Sequence, residues 1–185
     1  MLQRVGRVAF PFLVAVSAAA TATSCAHTVT GTAQSAQANV PDADRSYGYV
    51  DDRCGLLEDG TVQELLGADV VTRPYSGAVC QYVLALKSAP TATTIDVVYS
   101  WFDAGTLQRE RDLATARGAV VEDTVIERHQ AFLARRDTTG AACSATAAAG
   151  SGVLAWWVQY RGRESVGDPC AEAEKLLSAT LRSDM

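Results

Sequence analysis

The chain has 185 residues, 48% of them apolar and 20% charged, with a formal net charge of -5. That is the composition of one globular domain with short extras, not of a disordered chain. Arg4 and Arg7 are the only charged residues among the first 24, so the rest carries 14 basic against 21 acidic side chains, a balance of -7. Such a balance argues against nucleic acid, whose phosphates demand a basic face, and against adhesion to anionic lipid headgroups by net charge.

The chain opens MLQRVGR, continues VAFPFLVAVSAAATA and reaches TSC at Thr23–Cys25. A short basic start, an apolar middle and small residues before a cut are the three parts of an export signal. The apolar run falls short of the roughly 20 residues that span a bilayer, and Pro11, Ser17 and its alanine-rich end make an uncut spanning helix a poor alternative. Ala22-Thr23-Ser24-Cys25 resembles a lipobox, at which bacteria attach diacylglycerol to the cysteine and cleave before it. Ala22 stands where leucine is usual, so ordinary cleavage near Ala20 or Ala22 is the competing reading. The expected division is a lipoprotein signal peptide over 1–24, a lipidated Cys25 with a flexible tether over 25–47, and the folded domain over 48–185. About 20 small polar tether residues reach roughly 25 Å, which holds the domain near the extracytoplasmic face of the cell membrane.

Five cysteines is an odd number, and in an exported chain the leftover one needs a reason. Cys25 is the natural odd one, because it sits where a signal peptide would be cut. Cys54, Cys80, Cys143 and Cys170 remain for two bridges, which can pair in three ways. Sequential pairing, Cys54–Cys80 and Cys143–Cys170, would staple a helix to a nearby strand each time and contribute roughly 3 kcal/mol per bridge.

Past Asp51 the pattern becomes that of a folded domain. Thr61-Val62-Gln63-Glu64 has capping-box spacing before a short helix that stops at Gly67. A brief strand is expected over Val70–Thr72, a turn over Pro74–Gly77 and a strand over Ala78–Leu86. In TIDVVYSWF, Ile95, Val97, Tyr99 and Trp101 share one face, the period of a half-buried strand. Thr106–Arg117 lacks Gly and Pro, is rich in helix formers and ends at Gly118. Strands are expected over Ala119–Glu127 and Gln130–Arg136, a turn near Thr139-Gly140, and a hairpin joining Ala142–Ala148 to Gly152–Arg161. Asp168-Pro169 opens a last helix with an apolar stripe of Cys170, Ala173, Leu177 and Leu181. Hairpins without regular strand–helix alternation predict an α+β domain, an antiparallel sheet partly covered by helices.

Chemistry is sparsely written. The two histidines, His27 in the tether and His129 in an expected turn or at the edge of the strand after it, stand in no motif, and the cysteine and histidine spacing fits no zinc site. No catalytic residue, metal site or cofactor is expected. Asp51-Asp52 and Glu122-Asp123 read as solvated surface. Arg109-Glu110-Arg111-Asp112 is a charge cluster on the middle helix, fit either for docking or for ordinary surface pairing. Adjacent strand residues face opposite ways, so only one indole of Trp156-Trp157 enters a given core layer. Trp157, Arg109 and Arg111 form the candidate binding surface, with simple burial of both indoles between sheet and helix as the bland alternative.

These residues together resemble the LprB/LprC type of actinobacterial, chiefly mycobacterial, cell-envelope lipoproteins, LprC-like proteins most of all. The likeness is carried by Cys25 followed by TVTGTA, CGLL at Cys54–Leu57, AVCQYV around Cys80, WFDAGTLQRER at Trp101–Arg111, AWWV at Ala155–Val158 and DPCAEAEKLL at Asp168–Leu177. It spans nearly the whole mature chain and implies a membrane-attached envelope protein with a domain of unknown function. The expected activity is non-enzymatic binding of a protein partner or a hydrophobic envelope molecule. The alternatives are an accessory subunit of an envelope transport complex and a hydrolase without a recognisable motif.

Overall fold

A computed structural model describes residues 40–87, 93–136, 141–161 and 167–183. Cys25, the expected export segment, the expected tether before Val40 and the expected turn at Thr139-Gly140 lie outside them. Seven strands form one antiparallel sheet: β1 (Val70–Tyr75), β2 (Val79–Leu86), β3 (Thr93–Asp103), β4 (Val120–Ile126), β5 (His129–Arg135), β6 (Ala142–Ala149) and β7 (Gly152–Arg161). Their spatial order is β1-β2-β3-β7-β6-β5-β4. Three helices complete the domain, α1 (Asp59–Leu65), α2 (Leu107–Ala116) and α3 (Pro169–Arg182). The expected α+β class is therefore correct.

Register explains which side chains enter the core. Tyr99 pairs with Cys80 on one side and Trp156 on the other, and Trp156 pairs with Ala145, so these residues share the face that α3 covers. Tyr82, Tyr99 and Trp156 are fully buried there, with the Trp156 ring 4.8 Å from Tyr99 and 6.0 Å from Tyr82. Burial pushes the Tyr82 hydroxyl up to about 12 and the Tyr99 hydroxyl up as well. From α3 come Ala173, Leu176, Leu177 and Leu181, each buried leucine contributing about 1.5–3 kcal/mol. The alanines of β6 are poor strand formers, yet their small size lets α3 lie close against the sheet.

The two bridges are Cys54–Cys80 and Cys143–Cys170, the sequential pairing. The first ties the loop before α1 to β2, and the second ties β6 to the first turn of α3. Asp168 caps α3, accepting the Cys170 N–H at 3.1 Å, with Pro169 just inside the helix.

Four local expectations need correction. The first helix starts at Asp59, not behind a Thr61 cap, and its N-cap Glu58 makes no side-chain cap bond. β1 runs on through Pro74 to Tyr75 where a turn was expected. It is an edge strand with a bulge between Thr72 and Tyr75, the setting in which a strand tolerates proline. His129 begins β5 and is only 4% exposed, with Nδ1 at 2.9 Å from the Ala148 carbonyl oxygen. Lastly, the stretch 40–47, through which the tether was expected to run, is pinned to the domain at Asp42, Arg45 and Tyr47, while Pro41, Ala43, Asp44 and Ser46 are exposed. Tyr47 is fully buried, its hydroxyl bonds Asp42, and its carbonyl accepts from Tyr99. Gly150, at φ 52, lets the Arg45 carbonyl approach so closely that a Cβ would collide with it.

Candidate functional site: a groove beneath α2

The face opposite α3 carries Val98, Ser100 and Phe102 of β3, Ala155 and Trp157 of β7, Ser144 and Thr146 of β6 and Phe132 and Ala134 of β5. Over this face lies α2, and between helix and sheet runs a groove of about 310 Å³. Its floor is mainly apolar and aromatic, and Glu110, Arg117 and Arg136 join its lining.

What makes the groove is a helix that does not fill it. None of the α2 side chains is fully buried; Leu107, Leu113 and Ala114 are half-buried, so packing holds the helix only in part. Thr106 caps the helix, accepting the Arg109 N–H at 3.3 Å. Arg111 then ties it to β4, donating from Nε and Nη2 to the two carboxylate oxygens of Asp123 at 2.8 and 2.7 Å. That hydrogen bond holds the Asp123 carboxyl below its ordinary range and raises the Arg111 guanidinium.

The candidate surface residues therefore separate. Trp156 goes into the core, fully buried, and donates Nε1–H to Thr180 Oγ1 at 2.9 Å. Trp157 lies half-buried in the groove. Arg111 is engaged with Asp123, and Arg109 is exposed on α2; neither lines the groove. Sequence reading missed Val98, Phe102, Phe132, Arg117 and Arg136. Period-two alternation in β3 and β7 does place Val98, Phe102 and Trp157 on one side; the pairing of β3 with β7 that brings them together is set by the fold.

Of the two acidic pairs, Asp52 bonds the Arg73 Nη2 at 2.6 Å and the Tyr49 hydroxyl at 2.5 Å, while Asp123 holds Arg111. Among the described residues no group of His, Cys, Asp and Glu could hold a metal ion, and no helix is long and apolar enough to cross a membrane. The groove offers an apolar floor and basic groups, with hydroxyls from Ser100, Ser144 and Thr146.

A family model described as "Protein of unknown function (DUF3558)" matches residues 20–183. The chain belongs to the DUF3558 family. The matched stretch begins upstream of Cys25 and takes in all four bridge cysteines and the whole groove. No curated protein and no solved structure matches the chain.

Proposed function

We infer that this DUF3558 protein is an LprC-like lipoprotein, fixed through Cys25 to the extracytoplasmic face of the cell membrane. Its domain binds the apolar part of an anionic, amphipathic envelope molecule in the groove beneath α2 and performs no catalysis. The observation that carries the reading is a half-buried Trp157 on an aromatic floor, under a helix with no buried side chain. Ligand sites occupy roughly 300–1,000 Å³, so a groove of about 310 Å³ takes a ring or a short acyl segment and leaves the rest of a lipid outside. Arg117 and Arg136, against Glu110 alone, favour a negative group on the ligand. On the other face, Trp156, Tyr82 and Tyr99 fill the space under α3, so the groove is the better place for the ligand.

A second reading is favoured by one further feature. Val79 pairs with Ser100, and Phe102 with Val153, so the groove's face continues into Phe102, Val79 and Tyr75, which are 43%, 38% and 60% exposed. Such a stripe suits a protein partner in an envelope complex. Purification of the full chain from membranes in mild detergent separates the two. The first reading expects an anionic amphiphile to co-purify and to fall at least tenfold with Trp157→Ala, whose melting temperature is followed in parallel. A stoichiometric protein without lipid supports the second, and a folded Trp157→Ala that retains the same amphiphile overturns the groove as its site.

A further inference from the structure

A second recess lies where the β4–β5 turn, the end of α3 and the 41–45 segment meet. It has a volume of about 300 Å³ and is lined by Asp42, Arg45, Glu127, Arg128, His129 and Arg182, with Pro41 and Leu181 as apolar walls. Three guanidinium groups and an imidazole here face two carboxylates, in a protein whose overall charge is acidic.

Both carboxylates are already engaged. Asp42 accepts from the Tyr47 hydroxyl and from the Gly150 N–H at 3.1 Å, and lies 3.7 Å from His129 Nδ1. Glu127 accepts from the Ser178 hydroxyl at 2.7 Å and pairs with Arg182 Nε at 3.3 Å. Arg45 is different. Its guanidinium lies over the Tyr47 ring, 5.0 Å from the centroid, and its Nε and Nη2 are buried without a hydrogen-bond partner. These nitrogens lie along one edge of the planar fork, the edge that grips an oxyanion through two parallel bonds. A buried charged donor left unpaired is costly and calls for a partner.

The turn beside it is strained. Glu127 and Arg128 hold φ of 48 and 68, a left-handed pair that hairpins ordinarily give to Asn and Gly. Strain of this kind persists where the surroundings over-determine it and gathers at binding sites. Here it holds Arg128 at the recess.

We propose that this recess binds a phosphate-type oxyanion between Arg128 and Arg182, the covered Nε–Nη2 edge of Arg45 turning toward the recess to grip it. A tetrahedral phosphate has enough oxygens for several guanidinium groups at once, which a carboxylate lacks. Arg182 also offsets the negative end of α3, which would otherwise oppose an anion there. The site is separate from the groove beneath α2 and stands or falls independently of it.

Inorganic phosphate, titrated into the ¹⁵N-arginine-labelled full chain in neutral detergent micelles, tests the site through the arginine Nε–H signals. Chloride at matched ionic strength is the control. The expected result is a saturable shift of the Arg45 signal with phosphate alone. Arg128→Gly should weaken phosphate binding about tenfold while raising the melting temperature by about 2–4 °C, because glycine accepts the left-handed φ. Arg182→Gln, at an exposed side chain, should weaken binding similarly with little change in melting. Doping the micelles with phosphatidylglycerol identifies the source: saturation at lower phosphate-group concentration than with the free ion assigns a lipid headgroup, and saturation by the free ion alone assigns a soluble phosphate. No saturable shift from either, or Arg128→Gly and Arg182→Gln variants that bind as tightly as the parent, overturns the proposal.

Discussion

Thr180→Val isolates one interaction at the centre of the domain. Trp156 and Thr180 are both fully buried, and the 2.9 Å bond between them is the one described partner of an indole that can only donate. Valine keeps the shape of threonine and removes the acceptor, leaving a buried N–H unsatisfied at about 1–3 kcal/mol. The added methyl group returns up to about 0.8 kcal/mol, so the net destabilisation should be about 1–2 kcal/mol. For a chain of this length each kcal/mol lowers the melting temperature by about 2–4 °C. Urea unfolding followed by tryptophan fluorescence should show a lower midpoint at unchanged slope. Made in a Trp156→Phe background, where no N–H remains to be orphaned, the same substitution should cost at least about 0.5 kcal/mol less. Equal costs in the two backgrounds, or a Thr180→Val protein as stable as the parent, would refute the assignment.

Two further perturbations follow from the staples and from the α3 cap. Removing both bridges, by reduction or by Cys54→Ser with Cys143→Ser, should withdraw roughly 6 kcal/mol, comparable to the whole stability of many domains; calorimetry should find the reduced chain largely unfolded at 37 °C. Asp168 is held below the ordinary carboxyl range first by its hydrogen bond from Arg135, at 2.7 Å. A carboxylate depressed in the folded state adds stability above its unfolded pKa of about 3.9, and that stability is lost as pH falls through the lower folded value. Asp168→Asn keeps the helix cap and removes the charge, so it should flatten the acid limb below about pH 4 and, at a half-exposed pair, cost about 0.5 kcal/mol at neutral pH. Asp168→Ala loses the cap too and should cost about 1 kcal/mol more; equal stability of the two variants would contradict the cap.

Strong local signals in the sequence correspond to what the fold shows. Asp168-Pro169 and the stripe after it specify α3, the alternation in TIDVVYSWF specifies β3, and the hairpin of β6 and β7 follows from turn chemistry. Where the expectation failed, a tertiary contact outweighed a local rule. Pro74 sits in a strand because that strand is an edge and bulges there. His129 is buried because the β4–β5 turn folds it against Ala148. Residues 40–47 read as tether because their composition is small and polar, yet Tyr47 and Arg45 dock on Trp101 and Gly150, far along the chain. The groove was legible only in Trp157. Its floor assembles from β3, β5, β6 and β7, and α2 shows good helix propensity without the buried stripe that would have announced a packing face.

The claim that this domain works at a membrane surface rests on Cys25. Intact-mass and fragment analysis of the mature protein, isolated from the cells that make it, tests it most directly. The predicted result is a chain that begins at Cys25 with diacylglycerol on the sulfur and a further acyl group on the amine. A mature chain cut upstream of Cys25, or one carrying an unmodified Cys25, would contradict it.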